Sequence, residues 1–427
     1  RRRQFNEAAA LLAELPPGRP TNPGTEAARL ITAAYLAVAQ SDPAATERVR
    51  EAEFHAQLQA AHRWRRIAGV LSALTGSSTE LSPRLIAIGR ESPQSLTFLA
   101  DLIAMVLHEL DESAIDVVNA ASSLHPGRWR TALRSAMELG DSRVRVSCAR
   151  LLEPIGERQD VARLRAVAKD LRRRPEAASL GRGLARRLAY RVAVEDLGRV
   201  AIQIGPDLLP GSEVRRKVLA TLCYLISRPG MSATRDQVLD AMWPELDPEV
   251  ATNSLNQTLY FLRRVFEEDY SEDLSPGYVH HASDVIWLDP DLISSRSVDC
   301  RRMIRGLPDR PSPDDVERLV ATYRGRFALD FEYEEWAAAY RDSLHAAYLE
   351  IVERSVLDDL TTGHYDRGIG VARRALEVDP SAEQVEVSLL RLYRATGAHA
   401  AAAEQYAHYA AVMRDELGID PPPLETL

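Results

Sequence analysis

Residues 249–266, EVATNSLNQTLYFLRRVF, carry two stripes at helical spacing, and the pair of stripes decides the reading of the chain. Ala251, Leu255, Leu259, Leu262 and Phe266 recur at steps of three and four, which lines them along one side of an α-helix that must be buried. The other side carries Asn253, Asn256, Gln257, Tyr260 and Arg264, with Arg263 beside them. Amides, a phenol and guanidinium groups stand where a surface helix usually shows Glu and Lys. Asn and Gln pair bidentately with adenine and Arg with guanine, while Tyr and Arg also hold phosphates, so this side is a candidate reader of DNA. The alternative is an ordinary solvated helix surface without lysine.

Upstream, Val214 to Ile226 (VRRKVLATLCYLI) reads as an amphipathic helix that ends before Arg228-Pro229-Gly230. A short second helix follows, Arg235 to Trp243, with Thr234 as its N-cap and Pro244 limiting its extension. Three helices with a tight break before the third make a helix-turn-helix layout. Tyr278 to His281 and Val285 to Leu288 read as two strands of a hairpin wing, and Arg191 to Ile204 as a small leading sheet with a Gly-containing turn.

In this order, "RRKVLATLCYLISRPG", "RDQVLDAMWP", "ATNSLNQTLYFLRRVF" and "PGYVHH…VIWLD" resemble the DNA-binding domain of the antibiotic regulatory protein (SARP) type of transcriptional activator. The continuation "EEWAAAYRDSLHAAYLEIVERSVLDDLTTGHYDRGIGVARRALEVDP" and the closing "RDELGIDPPP" resemble the bacterial transcriptional activator domain that follows in those proteins. The resemblance covers roughly residues 191–427. It implies binding to double-stranded promoter DNA, at direct repeats near a −35 element, by a dimer that recruits RNA polymerase. It also makes the loop between the second and third helices a polymerase contact, with Glu245 and Asp247 facing a basic σ-factor or α-subunit surface. Alternatively, Asp247 or Glu249 only complements the dipole of the third helix.

The rest of the chain divides on composition. Leu344 to Leu360, Tyr365 to Val378, Glu383 to Ala395 and Ala400 to Leu417 are apolar-periodic helices, with Gly363 and Gly397 at matching places in successive hairpins. Their spacing fits the tetratricopeptide period of about 34 residues, which leaves a concave surface for proteins or peptides. Residues 1–190 are helix-forming and rich in Ala, Leu and Arg, with breaks at Pro16-Pro17-Gly18, Pro43, Gly76-Ser77-Ser78, Pro83, Pro93, Pro126-Gly127, Gly140-Asp141 and Pro154. Short helical pairs from about residue 94 to 172 are loosely similar to HEAT-type α-solenoid hairpins. The expected fold is mainly α: an α-solenoid-like region over 1–190 with a regulatory or scaffold role, a winged helix-turn-helix over 191–306, and a tetratricopeptide-like activator domain over 307–427. The chain begins Arg1-Arg2-Arg3 without Met, which suggests a segment of something longer.

Charge works against the DNA reading. Residues 1–190 hold 28 basic against 21 acidic side chains, 191–306 hold 13 against 18, and 307–427 hold 12 against 23. A duplex-binding domain usually carries a basic balance, because affinity comes largely from neutralised phosphates. Here the acids cluster at Glu245, Asp247 and Glu249 and at Glu267 to Asp273, while Arg263, Arg264, Arg215, Arg216 and Lys217 are available for a backbone. His280 of the wing also approaches phosphate, although His280 and His281 point to opposite strand faces and one of them packs. The basic run from Arg128 to Arg187, including Arg172-Arg173-Arg174, extends the DNA contact, docks on the acidic C-terminal region, or is a solvated linker.

Enzymatic chemistry finds no footing. Lys169 and Lys217, the only lysines, precede Asp and Val, so no phosphate-cradling lysine loop is present. His108-Glu109 lacks the second His of a zinc-protease helix, and no nucleophile elbow occurs. Cys148, Cys223 and Cys300 lack metal spacing; the first two sit at core helix positions and Cys300 falls in a connector. No catalytic residue, metal ligand or cofactor is assigned. No apolar run spans a bilayer, so the expected location is the cytoplasm, with no membrane partner and a homodimer as the assembly. The rival function is a protein–protein scaffold, in which the acidic winged helix and helical repeats bind protein partners instead of DNA.

Overall fold

The spacing read from 249–266 is realised as one helix, Pro248–Phe266, in the computed structural model of the chain, which describes residues 2–14, 23–58, 61–76, 78–171, 177, 179–419 and 421–426. Packing divides the chain into two units: Arg1–Leu188 with Glu272–Pro276, and Ala189–Ser271 with Gly277–Leu427. No described helix is long and apolar enough to cross a membrane.

The first unit is built of helices in series, each packed on its neighbours in the chain, around one core that includes Ile31, Ile67, Leu71, Leu85, Leu96, Trp129 and Leu152. This is the α-solenoid-like region. Prolines punctuate it by position. Pro93 and Pro126 open the helices Pro93–Phe98 and Pro126–Leu139, where a missing N–H costs nothing. Two expected breaks are not breaks. Pro83 lies in the first turn of Leu81–Glu91, and Pro154 lies in the last turn of Ser142–Ile155, which runs through it. The expected break at Pro16-Pro17-Gly18 and the run Arg172-Arg173-Arg174 lie outside the described residues.

The second unit opens with the strands β1 (Val192–Glu195), β2 (Ala201–Ile204) and β3 (Asp207–Pro210), which form an antiparallel meander. The helices α1 (Arg216–Ser227), α2 (Arg235–Met242) and α3 (Pro248–Phe266) follow. Strand β4 (Ser232–Thr234) precedes α2 and pairs with the wing, β5 (Val279–Ala282) and β6 (Val285–Leu288), in the order β4-β6-β5. Strand β7 (Ile293–Ser295) returns to lie parallel to β1 at the edge of the first sheet. Thr234 caps α2 as expected: its hydroxyl accepts the Gln237 N–H while the Gln237 side chain accepts the Thr234 N–H, a reciprocal capping box.

Six further α-helices follow among the described residues: α4 (Arg296–Gly306), α5 (Pro313–Thr322), α6 (Glu335–Thr362), α7 (Tyr365–Val378), α8 (Glu383–Ala395) and α9 (His399–Val412). Helix α6 starts well before the expected Leu344, because Trp336, Ala337 and Tyr340 already pack on the core. Cys300 is a buried residue of α4, which corrects its expected place in a connector. Gly363 and Gly397 end α6 and follow α8 at φ of 83° and 72°, a left-handed turn that favours glycine after a helix.

One hydrophobic cluster runs without interruption from β1 and α1 through α3 and the wing to α6, α7 and α8, joining Val194, Leu222, Leu259 and Ile286 to Phe327, Tyr348 and Leu389. Polar groups reinforce this core. The buried Arg341 guanidinium donates to Phe327 O (2.9 Å), Phe331 O (2.7 Å) and Glu332 O (2.6 Å), pinning the loop ahead of α6. Gly198 N–H donates to Arg326 O at 2.9 Å, and the backbones cross so closely that a Cβ on Gly325 would lie 3.2 Å from the Gly198 Cα. Buried Asp196 accepts from Ser297 N–H (2.8 Å) and from the hydroxyls of Ser295 and Ser297 (both 2.7 Å), while burial pushes its carboxyl up to about 6. Asp379 accepts from Ser381 and Arg326 and lies 2.6 Å from His345 Nε2; these partners, His345 first, hold it well below the usual carboxylate range.

Two measurements check these buried polar anchors. Replacing Arg341 by Met strands three carbonyls, and the denaturant midpoint of the second unit is expected to fall by a loss of about 3 kcal/mol or more. Asp379→Asn tests the acid side. A carboxylate with a lowered folded pKa contributes stability above its unfolded value and loses it as pH falls, so the variant's deficit is expected to be full at neutral pH and to shrink below about pH 4.

Candidate nucleic-acid interface

Helix α3 is set by its two ends and by its buried side. Asp247 is the N-cap, its carboxylate accepting the Glu249 N–H at 3.0 Å, and Pro248 occupies the first turn. At the far end the Glu267 N–H closes on Arg263 O at 3.0 Å. Ala251, Leu255, Leu259, Leu262 and Phe266 are buried, joined by Thr258, which the sequence pattern did not single out. Fixing that side against α1, α2 and β5 turns the opposite side outward. Asn253, Asn256, Gln257, Tyr260 and Arg264 are all exposed, Tyr260 at 44%.

These five side chains differ in their freedom. Asn253, Asn256 and Gln257 make no side-chain hydrogen bond among the described residues, so their amides are unengaged donors and acceptors. Tyr260 stands edge-on to Phe261 and Tyr270, at centroid distances of 5.5 and 6.0 Å. Arg264 donates from Nε to Glu268 O at 3.1 Å, which steadies its stem and leaves the far end of the fork outward. Arg263 is half-buried, donates to Val279 O at 3.3 Å and lies 5.6 Å from the Tyr270 ring.

Other expected contacts do not join the stripe. Arg215 lies flat over Phe261 at 3.7 Å, locking the start of α1 to α3. Arg216 pairs with Glu334 at 3.2 Å and sits over Phe331, so it faces the C-terminal helices. Lys217 donates to Met242 O at 2.6 Å, satisfying the end of α2. His280 is the packed member of the histidine pair: it stacks on Trp287 at 4.9 Å, with Nε2 3.2 Å from Asp289, and the exposed imidazole is that of His281. The sequence reading had placed His280 at phosphate; strand register decides the matter, because His280 sits opposite Trp287. In the loop before α3, Glu245, Leu246 and Asp247 are exposed, but the Asp247 carboxylate is engaged as a cap. Sequence reasoning missed Arg235. It opens α2, donates to Thr252 Oγ1 on α3 at 2.6 Å and reaches the wing through its N–H to Asp284 O at 2.6 Å.

With this geometry in place, comparison with known proteins assigns the C-terminal helices. A family model described as the bacterial transcriptional activator domain matches residues 310–425. These residues thus resemble a bacterial transcriptional activator domain. The chain is also similar to the regulatory protein AfsR of Streptomyces griseus, 26% identical over 53% of this chain, and to its counterpart in Streptomyces coelicolor, 27% identical over 51%. It spans only 23% and 22% of those two proteins. Among solved structures, Mycobacterium tuberculosis EmbR in complex with a low-affinity phosphopeptide aligns with 55% of this chain and 63% of its own at 17% identity and a TM-score of 0.37. The family match and the similarity to AfsR agree with the resemblance to SARP-type transcriptional activators. The matched stretch contains α5 to α9; Arg216 reaches it from the winged helix, whereas Arg341 and Asp379 brace it from within.

If the stripe is a true surface, Asn256→Ala is expected to change stability by no more than about 0.5 kcal/mol, whereas Leu259→Ala on the buried side costs about 2–5 kcal/mol. Equilibrium denaturation of the two variants side by side makes the comparison.

Proposed function

We propose that this chain is a sequence-specific DNA-binding transcriptional activator that recruits RNA polymerase at promoters, with α3 inserted in a major groove. The observation that carries the reading is the stripe Asn253, Asn256, Gln257, Tyr260 and Arg264, exposed along one helix whose other side is fixed in the core. Unengaged amides on a rigid helix match the donor and acceptor pattern of adenine, and Arg264 that of guanine. The activator domain and the similarity to AfsR support a role in transcription.

Polymerase recruitment falls to the loop before α3. Glu245 projects there beside the exposed Leu246 and Val250, an acidic and apolar edge suited to a basic σ-factor or α-subunit surface. The domain division follows as part of the proposal: the N-terminal helical unit regulates access, the winged helix reads DNA, and the activator domain supports a homodimer or the polymerase contact. With Arg215, Arg216 and Lys217 tethered to Phe261, Glu334 and Met242 O at the surface, backbone affinity per monomer is modest and a second subunit supplies the rest.

Selection from a random duplex pool tests the reading. One sequence class is expected to be enriched, with binding that weakens linearly in log salt at a slope of about −0.9 per neutralised phosphate. Asn256→Ala combined with Arg264→Ala is expected to abolish the enrichment, each lost base contact costing about 1–3 kcal/mol. Absent or salt-insensitive binding rejects the activator and leaves the scaffold.

A further inference from the structure

A cavity of about 270 Å³ opens between α7, α8 and α9, and each helix lines it with a pair of residues one turn apart: Arg373 and Leu376, Glu386 and Leu389, Gln405 and His408. That spacing keeps both members of a pair on one side of their helix. Leu376 and Leu389 are buried and form apolar walls. Arg373 and His408 are exposed at the rim, as is Glu377, which also lines the cavity. The acid on α8 is the odd member. Glu386 is only 2% exposed, yet it too lines the cavity.

Burying a carboxylate is costly unless its oxygens are paired. Three other buried acids of this unit are satisfied from within: Asp359 by Arg367, Asp379 by His345 and Arg326, and Asp196 by Ser295 and Ser297. Glu386 is not. Gln405 Nε2 donates to its Oε1 at 2.9 Å, and among the described residues this is the one hydrogen bond that the carboxylate accepts. The Tyr409 hydroxyl, next on α9, donates to Glu383 instead, at 3.4 Å. No arginine or lysine pairs with Glu386 among the described residues, and burial pushes its carboxyl above the usual range against the pull of Gln405 and His408. Oε2 is left for something that enters the cavity.

We propose that this cavity receives one lysine or arginine side chain of a partner protein, with the charged head on Glu386 and the aliphatic stem against Leu376 and Leu389. Such side chains carry an apolar stem and a charged tip, the same division as between these walls and the buried acid. The volume agrees, since it falls below the about 300–1,000 Å³ of sites that take drug-sized ligands. Charge agrees as well. Residues 307–427 hold 12 basic against 23 acidic side chains, which draws a basic partner toward these helices. Arg373 and His408 oppose a cation at the rim and Glu377 favours it, so the buried acid supplies the deciding charge. The inference concerns the C-terminal helices and stands apart from the DNA reading.

The full chain and its Glu386→Gln variant are panned in parallel against a random library of N-acetylated, C-amidated peptides. Peptides enriched by the parent and not by the variant are expected to share one Lys or Arg. Replacing that residue by acetyl-lysine or citrulline is expected to weaken binding about tenfold or more, as for a buried charge pair that loses one partner. Glu386→Gln keeps a hydrogen bond with Gln405 and removes a buried charge, so its denaturation midpoint is expected to match or exceed the parent's. Arg373→Gln takes a like charge from the rim and is expected to tighten the same peptides about twofold or more. Enriched peptides without a shared basic residue, or basic peptides held equally by Glu386→Gln, overturn the proposal. So does n-butylguanidinium or n-butylammonium that binds as tightly as the peptides, because the site then serves a small cation. No enrichment, with a lowered midpoint in Glu386→Gln, overturns it too and leaves the carboxylate as a structural tie between α8 and α9.

Discussion

Leu255, Leu259 and Leu262 hold the second unit together at its centre. They lie at less than 2% exposure on one side of α3, pressed into a cluster that continues through α1, the wing and the activator domain. A rigid helix buried along one side has its opposite side aimed by the same packing, since side chains on an α-helix repeat about every 3.6 residues. The amides of Asn253, Asn256 and Gln257 need no support of their own. Their direction is a consequence of leucine burial, and the Asp247 cap fixes where that helix begins.

The winged helix and the activator domain share this core instead of meeting across a thin surface. Across the boundary Gly198 N–H donates to Arg326 O, Ala328 N–H to Asp196 O and Val200 N–H to the Asp330 carboxylate, and Gly198 and Gly325 let two backbones cross where a side chain would not fit, while Arg341 and the Asp196 carboxylate brace the two sides from within. Each feature satisfies buried polar groups that would otherwise be costly, so the seam has one arrangement. A partner bound to the activator domain therefore meets a helix α3 whose orientation is already set.

Net charge is a poor guide in such a domain, because position decides what each cation does. Residues 191–306 carry more acids than bases. Arg215 is held over Phe261, Arg216 against Glu334 and Lys217 at the end of α2, so these exposed cations are directed away from the α3 stripe. Those that remain near α3 are placed with purpose: Arg264 at the end of the stripe, Arg235 and Arg263 beside the wing. The acids Glu267, Glu268 and Asp269 follow the C-terminal end of α3.

Local patterns settled a large part of this fold in advance. The three- and four-residue spacing gave α1, α2, α3, α7 and α8 nearly to their ends, Thr234 marked the start of α2, and alternation marked the wing, because each signal is carried by neighbours in the chain. Strands β3, β4 and β7, helices α4 and α5 and the early start of α6 escaped. A strand of three or four residues is defined by a partner far away in sequence, as when β7 pairs with β1. The sequence by itself determined which side of α3 is apolar and which is amide-rich, since that requires only the helical period. Tertiary structure alone decided where the cations go, which of His280 and His281 meets solvent, and that Arg235 closes on Thr252, because long flexible side chains choose partners by three-dimensional proximity that no spacing rule encodes.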